Sequence, residues 1–264
     1  TLKRSTLIKF LKGKLFSNLI RFNKKIERVE QIQKTIKIIF TDGDTEKVDY
    51  LVVSDGIYSQ TKSTIEKKFF KLNYYGSVAI RAQIKAKDKL EFKKENISIF
   101  MCSKAHLVTY PINENKDINL VCIIRKKLNE KNSIRELVEK KFFNTNKHLS
   151  NLFNEDLKSW PVYISRSPTK SILKNVFYIG DAFYAFPPTF AQGASQSVES
   201  AKDLYDLINR NENNIENIYF EKRSKRTSMI NNRSKLNYFV FHFSNTFLKI
   251  LRNQFLKRLV KNNS

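Results

Sequence analysis

The sequence is poor in the residues that build several common sites. Its two cysteines, Cys102 and Cys122, stand in strand-like segments without the spacing of a zinc site or a CxxC pair, and its three histidines are scattered. We therefore predict no metal site and two reduced, buried thiols, as in a cytoplasmic protein. Long apolar runs are also missing, so no segment of the sequence is expected to span a membrane.

Glycine is scarce, and its placement is informative. The six glycines are Gly13, Gly43, Gly56, Gly76, Gly180 and Gly193. No two of them lie close enough to form the G-x-G-x-x-G turn that cradles a dinucleotide pyrophosphate.

Acidic residues are outnumbered, with 25 Asp and Glu against 49 Lys and Arg and a formal net charge of +24. From residue 222 to residue 264 there are eleven Lys and Arg residues and no Asp or Glu. Apolar residues recur there at helical spacing: Leu236, Phe239, Val240, Phe243, Phe247, Leu251, Phe255 and Leu259. This pattern predicts a basic amphipathic helix, which either lies on an anionic membrane or packs over its own domain. Because no nucleic-acid motif accompanies the charge, we predict no nucleic-acid partner.

Residues 176–198, VFYIGDAFYAFPPTFAQGASQSV, carry the strongest functional signal. A buried strand should end at Gly180-Asp181, followed by the rigid pair Pro187-Pro188 and then by Gly193. A helix should begin there, because apolar residues follow at spacings of three and four: Ala194, Val198, Ala201, Leu204 and Ile208. A carboxylate would thus face a partly positive helix N-terminus, which suits a nucleotide-like ligand. An ordinary strand, loop and helix is the alternative.

A second strand-like segment ends in a similar way. The sequence predicts a hairpin in which residues 36–40 and 48–53 flank a turn at Asp42-Gly43. The second strand leads into Ser54-Asp55-Gly56, which is either a ligand-binding turn or a plain hairpin corner.

These segments together resemble the FAD-dependent aromatic-ring monooxygenases, the single-component flavoprotein hydroxylases with the salicylate hydroxylase-like or p-hydroxybenzoate hydroxylase fold. Gly180-Asp181 with Pro-Pro-Thr and Gln-Gly-Ala is similar to their second flavin motif, and Asp55-Gly56 to their Asp-Gly motif, with Ser54 in place of alanine. Arg4 precedes a helical pattern, as an arginine does in the family, although a solvated helix-start cation is an equal alternative. The cofactor contacts that the resemblance implies are Arg4, Asp55, Gly56, Gly180, Asp181, Pro188, Gln192, Gly193 and Ala194.

The resemblance also implies the fold. We expect an α/β (α+β) chain with a Rossmann-like FAD/NAD(P)-binding domain, an inserted, mainly antiparallel β-sheet that binds substrate, and C-terminal helices. The first βαβ unit of the family is missing, so an N-terminally truncated fragment is expected. The expected segments are residues 1–73 (partial FAD-binding domain), 74–165 (sheet domain), 166–210 (FAD-binding return segment) and 211–264 (basic helices).

The sheet region itself shows short β-rich runs at residues 77–84, 97–100, 106–111 and 118–124, and then a helix with a Ser133/Glu136 capping box and an apolar face that includes Phe142. In the family such a sheet forms the wall of the aromatic pocket. Arg81, His106 and Tyr110 are therefore candidate substrate residues, although polar strand residues more often face solvent or a neighbouring strand and are structural.

The activity implied is hydroxylation of a small aromatic substrate with O2 through a flavin hydroperoxide, with FAD as cofactor and NADH or NADPH as reductant. Since the cofactor supplies this chemistry, we predict no protein catalytic residue. Many relatives have a histidine shortly after Gly-Asp where this chain has Phe183-Tyr184. Two alternatives stay open: a ubiquinone-biosynthesis ring hydroxylase, and a non-catalytic basic peripheral-membrane or scaffold protein with a degenerate flavin fold.

Overall fold

The computed structural model describes residues 3–85, 96–130, 132–142 and 157–261, without the side chains of residues 140–142 and 259–261. The chain forms two compact units. The first comprises residues 1–16, 75–162 and 237–264, and the second comprises residues 17–74 and 163–236.

The strands are β1 (Ile26–Ile32), β2 (Thr35–Phe40), β3 (Thr45–Val48), β4 (Leu51–Val53), β5 (Asn73–Lys85), β6 (Ser98–Cys102), β7 (Ala105–Ile112), β8 (Asp117–Arg125), β9 (Lys158–Ile164) and β10 (Val176–Tyr178). The helices are α1 (Arg4–Lys12), α2 (Gln60–Glu66), α3 (Ile134–Phe142), α4 (Gly193–Asn209), α5 (Ile215–Phe241) and α6 (Thr246–Lys261). Short 3₁₀ turns lie at Ser17–Leu19, Gly180–Ala182 and Pro188–Phe190.

A three-stranded antiparallel sheet, β1-β2-β3, and a two-stranded parallel sheet, β4 with β10, lie in the second unit. The hairpin turn is at Asp42-Gly43 as predicted, with Gly43 at φ +90°. The predicted continuous strand over residues 48–53 was wrong, since β3 ends at Val48 and β4 joins the other sheet. Asp49 and Tyr50 separate β3 from β4, because the chain must leave its pairing with β2 to pair with β10.

The first unit contains a five-stranded sheet of order β6-β7-β8-β5-β9, whose described pairings are antiparallel. Cys122 of β8 lies opposite Ile80 of β5 and Leu107 of β7, and all three side chains are fully buried. The four predicted β-rich runs are confirmed. Cys102 is also buried, and both cysteines are free thiols.

Helix α3 packs Leu137 and Val138 against that sheet. The predicted capping box is present, because Ser133 N donates to Glu136 Oε2 (3.1 Å) and Glu136 N donates to Ser133 Oγ (3.2 Å). The side chain of Phe142, predicted for the apolar face, lies outside the described residues.

The basic C-terminal segment is divided between two helices, so the single predicted helical face was wrong. Helix α5 ends at Phe241 and α6 begins at Thr246. Asn245 starts a new helix as its N-cap. Its Oδ1 accepts hydrogen bonds from the amides of Phe247 (2.9 Å) and Leu248 (3.2 Å). Over the described ranges, no helix has the length and apolar character needed to cross a membrane.

Candidate functional site

The two predicted ligand motifs lie next to each other in the second unit. Val53 of β4 pairs with Tyr178 of β10, and Ile179 N donates to Val53 O at 3.0 Å. Because parallel strands end at the same edge of a sheet, Asp55-Gly56 and Gly180-Asp181 leave it side by side. Ligands of open α/β sheets bind at this edge, outside the carboxyl ends of the strands.

The first motif is a tight turn leading into α2. Gly56 has φ +84°, in the left-handed region that favours glycine. The exposed Asp55 carboxylate accepts from Thr61 N (3.2 Å), and Ser59 Oγ accepts from Lys62 N (2.9 Å). These bonds satisfy amides at the start of α2 and fix Asp55 at the edge of the sheet.

A buried lysine joins the two motifs, and the sequence did not reveal it. Lys62 is almost fully buried, its Nζ donates to Ala182 O at 2.8 Å, and the same ammonium lies 4.6 Å from the centre of the Phe70 ring. Burial lowers the pKa of Lys62, while Asp55 and Glu66 oppose that shift. The only sequence signal was its position three residues after the Ser59 cap.

Glu66, at the end of α2, makes a second connection. Its Oε1 accepts from Tyr178 Oη (2.6 Å) and from Ile172 N (3.2 Å). Burial, together with the Glu66 hydrogen bond, raises the pKa of Tyr178. Glu66 therefore holds α2 to β10, and Lys62 holds it to the 3₁₀ turn that follows β10.

Gly180 lies where α4 passes very close to the second motif. Its φ is +57°, and a Cβ atom at this position would stand 2.6 Å from Ser197 Oγ. Its amide donates to Ser200 Oγ at 3.4 Å. Only glycine meets both the backbone and the space requirement here.

Asp181 follows in a 3₁₀ turn, with its side chain exposed to solvent beside a small cavity that Gly193 and Arg223 also line. Partial desolvation by the surrounding protein raises the pKa of this carboxyl. The carboxylate is therefore positioned to accept hydrogen bonds from a ligand's hydroxyl groups.

The start of α4 faces the same loop. Pro187 is buried and Pro188 exposed, and Ala191 at φ +51° redirects the chain before Gln192, the N-cap residue of α4. Within the described part of the chain no side chain caps this end, its first turn contains no acidic residue, and Gly193 and Ala194 are exposed. These amides form a partly positive surface that suits an anionic group.

Most of the buried positions of α4 are polar, so the predicted apolar face is wrong at its first three residues, while Leu204 is buried and Ile208 partly buried as predicted. Ala194, Val198 and Ala201 are exposed, whereas the buried positions are Gln196, Ser200, Asp203, Leu204 and Leu207. The reason is Arg223 of α5, a residue only 1% exposed. A buried guanidinium requires polar partners, and they must come from the facing helix.

Arg223 has three partners on α4. It donates to Gln196 Oε1 (2.8 Å), Glu199 Oε1 (2.7 Å) and Asp203 Oδ2 (2.9 Å). Burial alone would raise the pKa of Glu199, but hydrogen bonds from Arg226 and Arg223 lower it to about 2. This network fixes α4 behind the loop that carries Asp181.

The remaining predicted site residues belong to the first unit. Arg4 is the exposed first residue of α1, Tyr110 is half-buried on β7, and the exposed Arg81 lies 5.8 Å from the centre of the Trp160 ring. Their contact with cofactor or substrate stays a prediction.

His106 is fully buried in the same unit. Its Nδ1 lies 2.7 Å from His242 Nε2, and Arg125 Nε donates to His242 Nδ1 at 3.3 Å. Burial lowers the pKa of His106 to about 4 and that of His242 to about 3, the latter also through the neighbouring His106 and Arg125 charges. The pair is therefore neutral at physiological pH and holds the end of α5 against β7.

Comparisons with known proteins show which proteins the chain resembles. No protein-family model matches the chain. It is 25% identical over 222 residues to 3-hydroxybenzoate 6-hydroxylase 2 of Aquipseudomonas alcaligenes, covering 79% of this chain and 68% of that protein. It is 23% identical over 201 residues to a flavin-dependent monooxygenase of an unknown prokaryotic organism, covering 72% of this chain and 51% of that protein. The chain thus spans about half to two thirds of the relatives it matches.

Solved structures show the same fold. Klebsiella pneumoniae HpxO, complexed with FAD and uric acid, matches with a TM-score of 0.79 and 15% identity, covering 98% of this chain and 70% of that one. A salicylate hydroxylase substrate complex matches with a TM-score of 0.78 and 17% identity, covering 92% and 67%. The chain therefore resembles a 3-hydroxybenzoate 6-hydroxylase and a flavin-dependent monooxygenase in sequence, and it has the fold of the FAD-bound HpxO and of salicylate hydroxylase.

Proposed function

We propose that this chain binds FAD and serves an NAD(P)H-using monooxygenase that hydroxylates a small aromatic ring. The observation that carries the proposal is the parallel pairing of β4 with β10, which places Asp55-Gly56 beside Gly180-Asp181. These are the motifs whose resemblance to flavin hydroxylases the sequence indicated.

The residues at this edge fit the parts of an FAD molecule. Asp181, exposed at a strand end, suits the ribityl or ribose hydroxyl groups, because an ionised carboxylate accepts hydrogen bonds. The exposed first turn of α4 suits negative charge, since its amides lack a side-chain cap among the described residues. Asp55 and Gly56 offer a tight turn beside it for the pyrophosphate region.

Bound FAD would accept hydride from NADH or NADPH and activate O2, which is chemistry that no side chain supplies. The chain's own residues would bind and orient the ring system and stabilise charge on it. Gly193 and Ala194 would do so through the N-terminal amides of α4, and Pro187 and Pro188 would keep the covering loop rigid.

The substrate we propose is a small aromatic molecule received by the five-stranded sheet, with Arg81, His106 and Tyr110 as candidate contacts. Of these, Arg81 and Tyr110 have exposed or half-buried side chains, whereas His106 is bonded to His242. A lipophilic ring substrate, such as a ubiquinone precursor, is a second candidate, and the exposed apolar side chains of α6 favour it.

FAD titration tests the proposal. The 264-residue protein is titrated with FAD while flavin fluorescence is followed. Asp181→Ala should weaken FAD binding by about 10- to 100-fold, the value of a hydrogen bond to a charged group. The matched control, Asp206→Ala, removes a carboxylate that pairs with Lys202 farther along α4 and should leave binding unchanged.

Anaerobic addition of NADH or NADPH to the yellow protein should then bleach its flavin absorbance. If the protein does not bind FAD, or if Asp181→Ala and Asp206→Ala bind it equally, the proposed site is wrong. Bound FAD that neither nucleotide reduces would leave the flavin site standing and overturn the monooxygenase assignment.

A further inference from the structure

Helix α6, in the first unit, turns an apolar stripe toward solvent. Phe247, Leu251 and Phe255 follow one another at intervals of four residues and are 66%, 46% and 64% exposed. Leu248 and Ile250 widen the stripe and are exposed as well. A surface helix of a globular protein usually buries such a face, so this one lacks its expected cover among the described residues.

The inward face of α6 is fixed by polar contacts. Arg252 is buried, its Nη1 donates to Val240 O at 3.3 Å, and its Nε donates to Asn253 Oδ1 at 3.0 Å. Rotating α6 about its axis to bury its phenylalanines would carry Arg252 away from Val240 O and break this bond. The outward direction of the stripe is therefore specified by the local sequence.

Positive charge surrounds the stripe. Arg258 follows Leu251 by seven residues and thus lies on the same helical face, and Lys257 is next to it, both exposed. The whole segment from residue 222 to residue 264 contains eleven Lys and Arg residues and no acidic residue.

We propose that the α6 stripe docks on the surface of an anionic lipid bilayer. Phenylalanine and leucine side chains enter the interface, while Lys257 and Arg258 contact acidic headgroups, as in interfacial amphipathic helices. Charge complementarity selects this occupant over a second copy of the chain, because the C-terminal segment of a second copy offers no acidic residue to pair with Lys257 and Arg258, whereas anionic headgroups do. No described helix is long and apolar enough to span a bilayer, so α6 lies on the surface.

Vesicle co-sedimentation tests the proposal with the intact protein. Vesicles of phosphatidylcholine alone are compared with vesicles of phosphatidylcholine and phosphatidylglycerol, at low and high salt. We expect binding only to the phosphatidylglycerol vesicles, and weaker binding at high salt because screening reduces the attraction. Binding should be the same with and without FAD, so this test is independent of the flavin site.

Two pairs of variants test whether the apolar side chains and the cations of α6 bind the vesicles. Phe255→Glu should weaken vesicle binding about tenfold or more, whereas Phe69→Glu, at a position 89% exposed in the second unit, should not. Lys257→Glu should also weaken it about tenfold, whereas Lys116→Glu, on the loop between β7 and β8, should not. All four positions are exposed, so circular dichroism and thermal unfolding should match the parent protein.

Three outcomes would overturn the proposal. Absence of sedimentation with phosphatidylglycerol vesicles excludes the lipid surface, and equal sedimentation with both vesicle types excludes recognition of anionic headgroups. A dimer in light scattering that Phe255→Glu abolishes, without vesicle binding, would assign the stripe to a second copy of the chain.

Discussion

Replacing Gly180 by alanine tests how closely α4 passes the Gly180-Asp181 turn. The left-handed backbone at φ +57° costs a residue with a Cβ atom about 1–2 kcal/mol. The new Cβ would lie 2.6 Å from Ser197 Oγ, so this hydroxyl must give up its 3.1 Å bond to Gly193 O, at a further cost of about 1 kcal/mol. We expect the free energy of unfolding to fall by about 2–3 kcal/mol.

Urea unfolding at neutral pH measures this loss against two further variants. Gly43→Ala, in the same unit, also has positive φ but meets nothing within 4 Å, so it should lose only the backbone contribution of about 1–2 kcal/mol. Combining Gly180→Ala with Ser197→Ala should show a favourable coupling of about 1 kcal/mol, because the nearest remaining atom would be the Cβ at 3.4 Å. Equal losses in Gly180→Ala and Gly43→Ala, without coupling to residue 197, would refute the close approach.

Three other predictions concern buried polar groups. Arg223→Met should lower the free energy of unfolding by about 2–3 kcal/mol, because Gln196, Glu199 and Asp203 lose their hydrogen bonds to a buried guanidinium, although Lys222 still pairs with Asp203 and Arg226 with Glu199. Arg226→Met at the rim should cost about 1 kcal/mol or less, and equal losses in denaturant titrations would contradict the network. Lys62→Met should weaken FAD binding and lower the free energy of unfolding, because Ala182 O loses its hydrogen-bond donor. Lys68→Met removes an exposed lysine above the same Phe70 ring and should change neither quantity. Unaltered FAD binding by the Lys62 variant would contradict the role proposed for Lys62. The folded-state pKa of His106 is about 4, below its unfolded value near 6.5. Its contribution to the free energy of unfolding is therefore complete above pH 6.5, and up to about 3 kcal/mol of it is lost as the pH falls to 4. His106→Leu should reduce this dependence of the free energy of unfolding on pH, measured by denaturant unfolding at several pH values.

The sequence predicted those parts of the protein that local residue patterns control. The turn at Asp42-Gly43, the runs that became β5 to β8 and the Ser133 capping box each depend on residues within a few positions of one another. The two ligand motifs were also readable, because each is a strand end followed by residues with special backbone requirements. Comparisons with known proteins confirm the resemblance to the aromatic hydroxylases.

Local patterns failed where partners are distant in the chain. The apolar spacing along the first half of α4 indicated the wrong buried face, since Arg223, absent from that pattern, demands polar partners. The Asn245 cap divided the predicted basic helix because an N-cap can begin a new helix even where apolar spacing continues.

By itself, then, the sequence determined the turn at Asp42-Gly43, the strands β5 to β8 and the strand ends before Asp55-Gly56 and Gly180-Asp181, since backbone preferences act over a few residues. Only the tertiary structure decided that β4 lies parallel to β10 and that the Lys62 ammonium reaches Ala182 O, a separation of 120 residues. Such contacts depend on long-range strand pairing and on the cost of burying an unpaired charge. Neither is visible in a single segment, and both are needed to bring Asp55 and Asp181 to one edge of a sheet.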